Sequence, residues 1–357
     1  MKTYVKFLLV NFIKSLLFVI AIIFSLVFIL NLLSELEFFK DIQVDSYFPI
    51  ILSLLNAPDM MFEMFPFIFL ITTQLFFIKL FENNQIEIFK YSGLKNSKLL
   101  VFLASISILT GIIITFVFYN FSSNLKNYYL QLKSPYASDG KYLAVVTNNG
   151  LWIKDELDKK IIVTNSNEIN GNFLINNFIT VFNDDYEIIQ NYKSSKIDIS
   201  NKEWIIYDVK IFDDNNFQDE NIIKLQTNFD YKRISSLYSN LSSLDLFKLY
   251  ELRENYKKLN YSLTEINLQF LKLLFFPIFL LLITIFSSLI MFRVKKYQNS
   301  TFKILLGLFF SVIIYYTNNF FYVLASTEKL SLLISISIPI LTLTFINGLM
   351  MSNIDEK

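Results

Sequence analysis

The 357-residue sequence has no cysteine and no histidine, and it holds only seven glycines and six prolines. Without cysteine there is no disulfide, thiolate metal site, iron–sulfur cluster or thiol nucleophile. Without histidine there is no Ser-His-Asp triad, no imidazole acid or base and no His-based metalloprotease motif. The glycines, at 93, 111, 140, 150, 171, 307 and 348, never take the spacing of a phosphate-cradling Gly-x-x-x-x-Gly-Lys-[Ser/Thr] loop, and the Gly140-Lys141 pair is followed by Tyr142. The chain is therefore not expected to hydrolyse ATP itself, to hold a metal or to bind a cofactor of its own. Glycine pairs spaced as GxxxG are absent too. Charge is scarce: 18% of residues are charged, against about a quarter in soluble chains. Of 32 basic residues only Arg233, Arg253 and Arg293 are arginine, which argues against bidentate phosphate or nucleic-acid recognition as the main mode.

What the chain does have is apolar surface, with 54% hydrophobic residues, 39 Phe and 20 Tyr. A bilayer core of about 30 Å needs about 20 apolar helical residues. Charge-free runs cover Ser15–Ser34, Met64–Ile78, Leu99–Leu125, Leu273–Phe292, Ile304–Thr327 and Leu330–Ile354. The second is short, but extending it back past Glu63 to about Asp59 completes a span. Six transmembrane helices in a three-plus-three layout are expected. The first run is too long for a signal peptide and no small-residue cleavage site follows Leu33. Lys2, Lys6 and Lys14, then Lys79, Lys90, Lys95 and Lys98, then Arg293, Lys295, Lys296 and Lys303 mark one side. By the positive-inside rule both termini lie inside and the 126–265 insertion lies outside.

From Lys141 the pattern switches to period two. Strands are expected at Tyr142–Thr147, Leu151–Lys154, Ile161–Thr164, Phe178–Phe182, Glu187–Gln190, Lys196–Ile199, Trp204–Ile211 and Ile222–Gln226, with Asn-Asn-Gly and Asn-Asp-Asp links supplying turns. About eight short strands without intervening helices point to a β-sandwich or jelly roll. Trp152 and Trp204 read as core anchors. Ser242 and Ser243 would cap an amphipathic helix over Leu244–Lys258, and Ser262-Leu-Thr-Glu265 forms a capping box that opens the fourth span. The expected divisions are 1–125, 126–240, 241–265 and 266–357.

The spans carry no ionisable groups at their centres, which argues against an ion-coupled carrier. No paired acids, metal ligands or Ser/Lys dyad lie at depth for intramembrane catalysis. Between the second and third spans, Phe81, Ile86, Ile88 and Phe89 gather to one side of a short helix over about 82–94, with Glu82, Gln85 and Lys90 elsewhere and Gly93 as C-cap. Such a helix suits docking in a partner's groove. The same pattern fits a helix lying on the lipid surface.

Several local runs carry a likeness. Leu54-Leu55-Asn-Ala-Pro58 with Pro66, Ile86–Gly93 followed by Leu94, Gly150-Leu-Trp-Ile-Lys-Asp155, and Gly307, Tyr315 and Asn318-Asn319 occur in the order and topology of the YjgP/YjgQ-type permeases of lipopolysaccharide export, LptF and LptG. The chain resembles that family over nearly its whole length, with the Gly150–Asp155 run closest to the LptG branch. The resemblance implies an α-helical integral membrane protein of the bacterial inner membrane, with six spans and an inserted periplasmic all-β jellyroll domain. It further implies a non-enzymatic half-transporter, paired with a second, LptF-like permease on a cytoplasmic ABC ATPase dimer that holds ATP and magnesium. A periplasmic jellyroll bridge protein, optionally a single-span membrane protein, and lipopolysaccharide complete the implied partners. Glu82, Gln85, Ile86, Glu87, Phe89 and Gly93 would form the ATPase-coupling helix. Phe28, Leu32, Lys40, Tyr315, Asn318 and Asn319 would line a lateral gate, and Trp152, Phe178 and Trp204 a lipid groove in the jellyroll. Two departures stand out: Gln85 occupies a position usually Glu, and Lys40 is alone among Glu35, Glu37 and Asp41 where relatives carry several lysines. The runner-up reading is an ABC-linked mechanotransmission protein acting on a periplasmic partner; such proteins usually have four spans.

Overall fold

The computed structural model describes residues 3–136, 151–157, 160–213, 216–231, 234, 240–258, 263–293 and 300–352. The expected strand at 142–147, its Asn148-Asn149-Gly150 link and Ser262 lie outside them. The chain divides into two units, one of residues 1–126 and 263–357, the other of residues 127–262.

The first unit is helical. Helix α1 covers Thr3–Phe38, α2 Phe48–Glu82 and α3 Gln85–Tyr91; α4 (Asn96–Ile113) runs through a π turn at Ile114–Phe118 into α5 (Tyr119–Lys133). After the second unit, which contains α6 (Leu246–Lys258), come α7 (Thr264–Arg293), α8 (Ser300–Ser326) and α9 (Leu332–Met351). Among the described residues six of these stretches are long and apolar enough to cross a membrane: α1, α2, α4 through α5, α7, α8 and α9. In hydrocarbon every backbone amide must bond within its own segment, so uninterrupted apolar sequence becomes helix.

Helix α2 corrects the expected boundary. It begins at Phe48, not near Asp59, so the Leu54–Pro58 run lies inside the helix instead of leading into it. Pro49 takes the first turn, where no amide donor is needed. Pro58 orphans the Leu54 carbonyl, and one residue earlier the Ser53 carbonyl accepts the Asn31 amide of α1 at 3.2 Å. Packing along α1 therefore carries the helix through a residue that would otherwise end it.

Polar side chains join the spans. Ser287 Oγ of α7 donates to the Leu70 carbonyl of α2 at 2.9 Å, and Ser107 Oγ of α4 to Thr284 Oγ1 of α7 at 2.9 Å. Asn347 Nδ2 of α9 donates to the Leu282 carbonyl at 3.0 Å, and Gln74 Nε2 of α2 to the Lys303 carbonyl of α8 at 2.9 Å. In lipid, where apolar surface gives no drive for association, such bonds and close packing hold helices together. Glycine supplies the close packing without the GxxxG pattern. A Cβ at Gly111 would lie 2.9 Å from the Pro277 Cα, and one at Gly307 would overlap the Gln74 amide. Helices α2 and α7 form the centre and are mostly buried; α1, α8 and α9 are peripheral and mostly uncovered.

The second unit is built on a six-stranded antiparallel sheet, β1 Leu151–Leu157, β2 Lys160–Asn170, β3 Phe173–Phe182, β4 Ile188–Asp198, β5 Glu203–Asp213 and β6 Asn216–Gln226. Each strand pairs with its neighbour in sequence. The inserted β domain is as expected; its described strands follow a meander in one sheet, without Greek-key crossovers between two. The sheet curls far enough for β1 to meet the segment after β6. There the buried Asp155 carboxylate accepts the Asn228 backbone amide at 2.7 Å and its side-chain amide at 2.8 Å. The core comprises Leu174, Ile179, Ile197, Ile206, Trp204 and Phe229, and Trp204 Nε1 donates to the Phe229 carbonyl at 2.8 Å.

One row of the sheet breaks the ladder. Asn167, Asn176, Ser195, Asp208 and Asn221 stand opposite one another on β2 to β6, and none of these pairings closes. Asn176 has φ 54° and Asp208 φ 51°, the left-handed region that Asn and Asp tolerate best after glycine. At this corner two successive residues turn away from the core, and the buried positions change phase: 174 then 177 in β3, 194 then 197 in β4, 206 then 209 in β5. The phase change explains why strict period two split β4 into two expected strands, and why β3 and β6 begin earlier than expected.

Helix α6 is also capped differently from expectation. Ser243 lies in a 3-10 turn, Leu241–Ser243, and the α-helix starts at Leu246 with Asp245 as cap, its carboxylate accepting the Lys248 amide at 2.9 Å. At α7 the Thr264 hydroxyl donates to Glu328 at 2.7 Å.

Candidate functional site

Helix α3 is fixed at both ends by backbone chemistry. Asn84, at φ 54°, reverses the chain after α2. At the other end Gly93, at φ 79°, lets its own amide reach the Lys90 carbonyl at 2.9 Å and the Leu94 amide reach Phe89 at 2.9 Å. This paired closure is the Schellman motif, and it bears out Gly93 as C-cap. Ile86 is buried within a cluster that includes Leu8 of α1, Phe76, Phe77 and Leu80 of α2, Leu99 of α4 and Met291 of α7, with Phe81, Phe89 and Leu94 packed against it. Phe89 meets Phe7 of α1 edge-to-face at 6.2 Å. Glu82 accepts the hydroxyl of Ser300, the first residue of α8, at 3.0 Å. Helix α3 is thus packed against α1, α2, α4 and α7.

The outward side of α3 differs from the expected one. Ile86 and Phe89 face the bundle and hold the helix in place. Ile88 is 60% exposed and Tyr91 91% exposed, and at i and i+3 they share one face. Glu87 is exposed and Gln85 half-buried. The sequence grouped Ile88 with the inward residues; its position two residues from Ile86, on the far side of a helix, was the available signal.

Five of the six expected gate residues lie on α1 and α8, two of the three least covered spans, and Lys40 follows α1. Phe28 and Leu32 of α1 are half-buried, with Phe28 stacked on Phe24 at 6.5 Å. Tyr315 of α8 is 56% exposed, Asn318 half-buried and Asn319 exposed. Lys40, just beyond α1, is exposed. Around them α1 presents Leu26, Ile29 and Leu33, and α8 presents Phe309, Tyr316 and Phe320. Within this chain each set covers its own helix, not a shared site. The nearby cations are already engaged: Lys126 donates to Asn56 and lies 3.5 Å from Asp59, and Lys272 pairs with Glu63 at 2.6 Å.

The three expected groove residues do not face one space. Trp204 is a core anchor, as read, but Trp152 is 54% exposed and Phe178 45% exposed. They flank Asn165 in one cross-strand row. Trp152 is in phase with Lys154, not with the buried Leu151 and Ile153, and that phase excludes it from the core. The interior instead carries a polar row: Ser166 donates to Asn177, and Asn177 Nδ2 donates to Ser194 Oγ at 3.3 Å, all three buried. Burial also raises the Tyr192 phenol above its ordinary value, so it stays a neutral donor, given to Gln190 at 2.6 Å.

In comparison with known proteins, the family described as lipopolysaccharide export system permease LptF/LptG matches residues 6–353. No curated protein matches the chain.

Proposed function

Since the chain belongs to the LptF/LptG family of lipopolysaccharide export permeases, and is therefore a multi-pass membrane subunit of a transporter, we propose that it works as one half of an ATP-driven extractor. It pairs with a second, LptF-like permease and sits on a cytoplasmic ABC ATPase dimer that supplies the ATP and magnesium chemistry. Its termini are cytoplasmic and the β unit periplasmic, in line with the basic loops. Lipopolysaccharide enters between α1 of one subunit and α8 of the other, and its acyl chains leave along the curled sheet toward a periplasmic bridge protein.

The observation that carries this reading is the uneven cover of the spans: α1, α8 and α9 keep broad apolar faces beside a well-buried α2 and α7, and α1 and α8 are the two that carry the expected gate residues. A partner helix and a lipid would each fit such faces. In the reconstituted complex, a photo-crosslinker at Tyr315 or Leu26 is expected to capture lipopolysaccharide when irradiated before ATP is added and to capture much less when irradiated after turnover. Capture of bulk phospholipid alone, at both positions, would sink the lateral-entry reading. An adduct yield that stays the same when the complex is irradiated during rapid ATP hydrolysis would instead favour a mechanotransmission role.

A further inference from the structure

The exposed side of the sheet carries chemistry that neither the core nor the export reading uses. Along one row Trp152, Asn165, Phe178, Lys193, Lys210 and Asp219 stand opposite one another on β1 to β6. Beside it on the same face runs the corner row of Asn167, Asn176, Ser195, Asp208 and Asn221, all exposed. From Trp152 to Lys210 the row crosses four strand spacings, about 19 Å at about 4.8 Å each.

Three features of this strip name its ligand. Lys193 and Lys210 are directly opposed, an arrangement of like charges that costs stability; Asp219 stands opposite Lys210 on its other side, yet neither lysine forms an ion pair among the described residues. An anionic group across the two would relieve that repulsion. Trp152 and Phe178 present partly open rings two strands apart, whose electron-rich faces suit the C–H surface of sugar rings. The aromatics are separated by a polar side chain and bordered by amides, which does not suit an acyl chain. Finally, the backbone explains the polar residue at only two corner positions, Asn176 and Asp208; Asn167 and Asn221 have no positive φ yet also offer amides. An amide presents both donors and acceptors, which matches neighbouring hydroxyls that do the same.

The geometry points to this exposed strip as a binding surface for an anionic oligosaccharide, the phosphorylated sugar portion of a lipopolysaccharide, with the lysine pair on phosphate and the two aromatics on sugar rings. The identity of the sugar's carrier rests on the export reading; the ligand chemistry rests on the strip. In the export cycle the strip would hold the headgroup on the outside of the sheet while acyl chains follow its inner side.

The test uses the full chain in its reconstituted complex, with phosphorylated, acyl-free oligosaccharide as the probe and its dephosphorylated form as control. The wild type is expected to bind the phosphorylated probe, more weakly at 0.5 M salt. K193A/K210A and W152A/F178A are each expected to weaken binding about tenfold or more, with K193R/K210R retaining it. These positions are exposed, and unchanged thermal unfolding of each variant will separate lost binding from lost folding. Absence of probe binding, or equal binding by every folded variant, overturns the inference. Export of intact lipid from proteoliposomes is measured in parallel. Export without oligosaccharide binding defeats the strip alone; oligosaccharide binding without export defeats the export reading and leaves the strip standing.

Discussion

At Gly307 the chain has room for a hydrogen and nothing larger, because the Gln74 amide of α2 lies where a side chain would begin. That amide is fully buried and donates to the Lys303 carbonyl one turn earlier in α8. Gly307→Ala must therefore either push α8 away or break the bond, and is expected to cost about 1–3 kcal/mol, seen as a lower unfolding temperature of the purified protein. The double variant G307A/Q74A should recover part of that loss, since the smaller side chain vacates the space. Asp155 allows a similar argument in the β unit. Asp155→Ala leaves two Asn228 N–H donors without their carboxylate, and about 2–3 kcal/mol of stability should go with it. Proteolysis in the β unit under native conditions would report it, and an unchanged cleavage rate would deny the clasp its role. Neither residue announces its job in the sequence. Gly307 and Asp155 stand out there only through family likeness, because the partner of each is distant in the chain.

Helix α3 shows at the level of an element what local patterning does and does not reveal. Its existence, amphipathic character and C-cap are readable, since Gly93 and the apolar spacing act within a few residues. Which apolar residues face outward depends on where the rest of the bundle lies. Ile88→Ala with Tyr91→Ala is expected to abolish copurification of the ATPase while leaving stability within about 0.5 kcal/mol, as for other exposed positions. Ile86→Ala should do the reverse at first, costing about 2–5 kcal/mol through a buried cavity. If I88A/Y91A copurifies normally, the docking face is elsewhere. Two other elements depart from the sequence pattern for physical reasons. Helix α2 extends ten residues before Pro58 because tertiary packing outweighs one missing amide, and β4 is one strand although its alternation reverses at Ser195.

For the whole molecule, the six spans and the inserted β domain were legible because lipid imposes long apolar helices and strands impose period two. Which helix faces remain uncovered was not, since that depends on the assembled bundle. Cross-linking α1 of this chain to α8 of its permease partner should block export without stopping ATP hydrolysis, and an unimpeded cross-linked complex would place lipid entry elsewhere. The absence of native cysteine makes such pairs straightforward to install one at a time. The corner row has a further consequence, for strand alignment. A meander with no disulfide is open to slippage, in which one strand shifts along its neighbour. A slip of one residue would turn core side chains outward. A slip of two keeps the faces but asks Leu174 or Phe178 to take the backbone of Asn176, and Ile206 or Lys210 that of Asp208, at about 1–2 kcal/mol each. The row is thus an alignment mark written across five strands, and it gives a cysteine-free sheet one register in which every strand agrees.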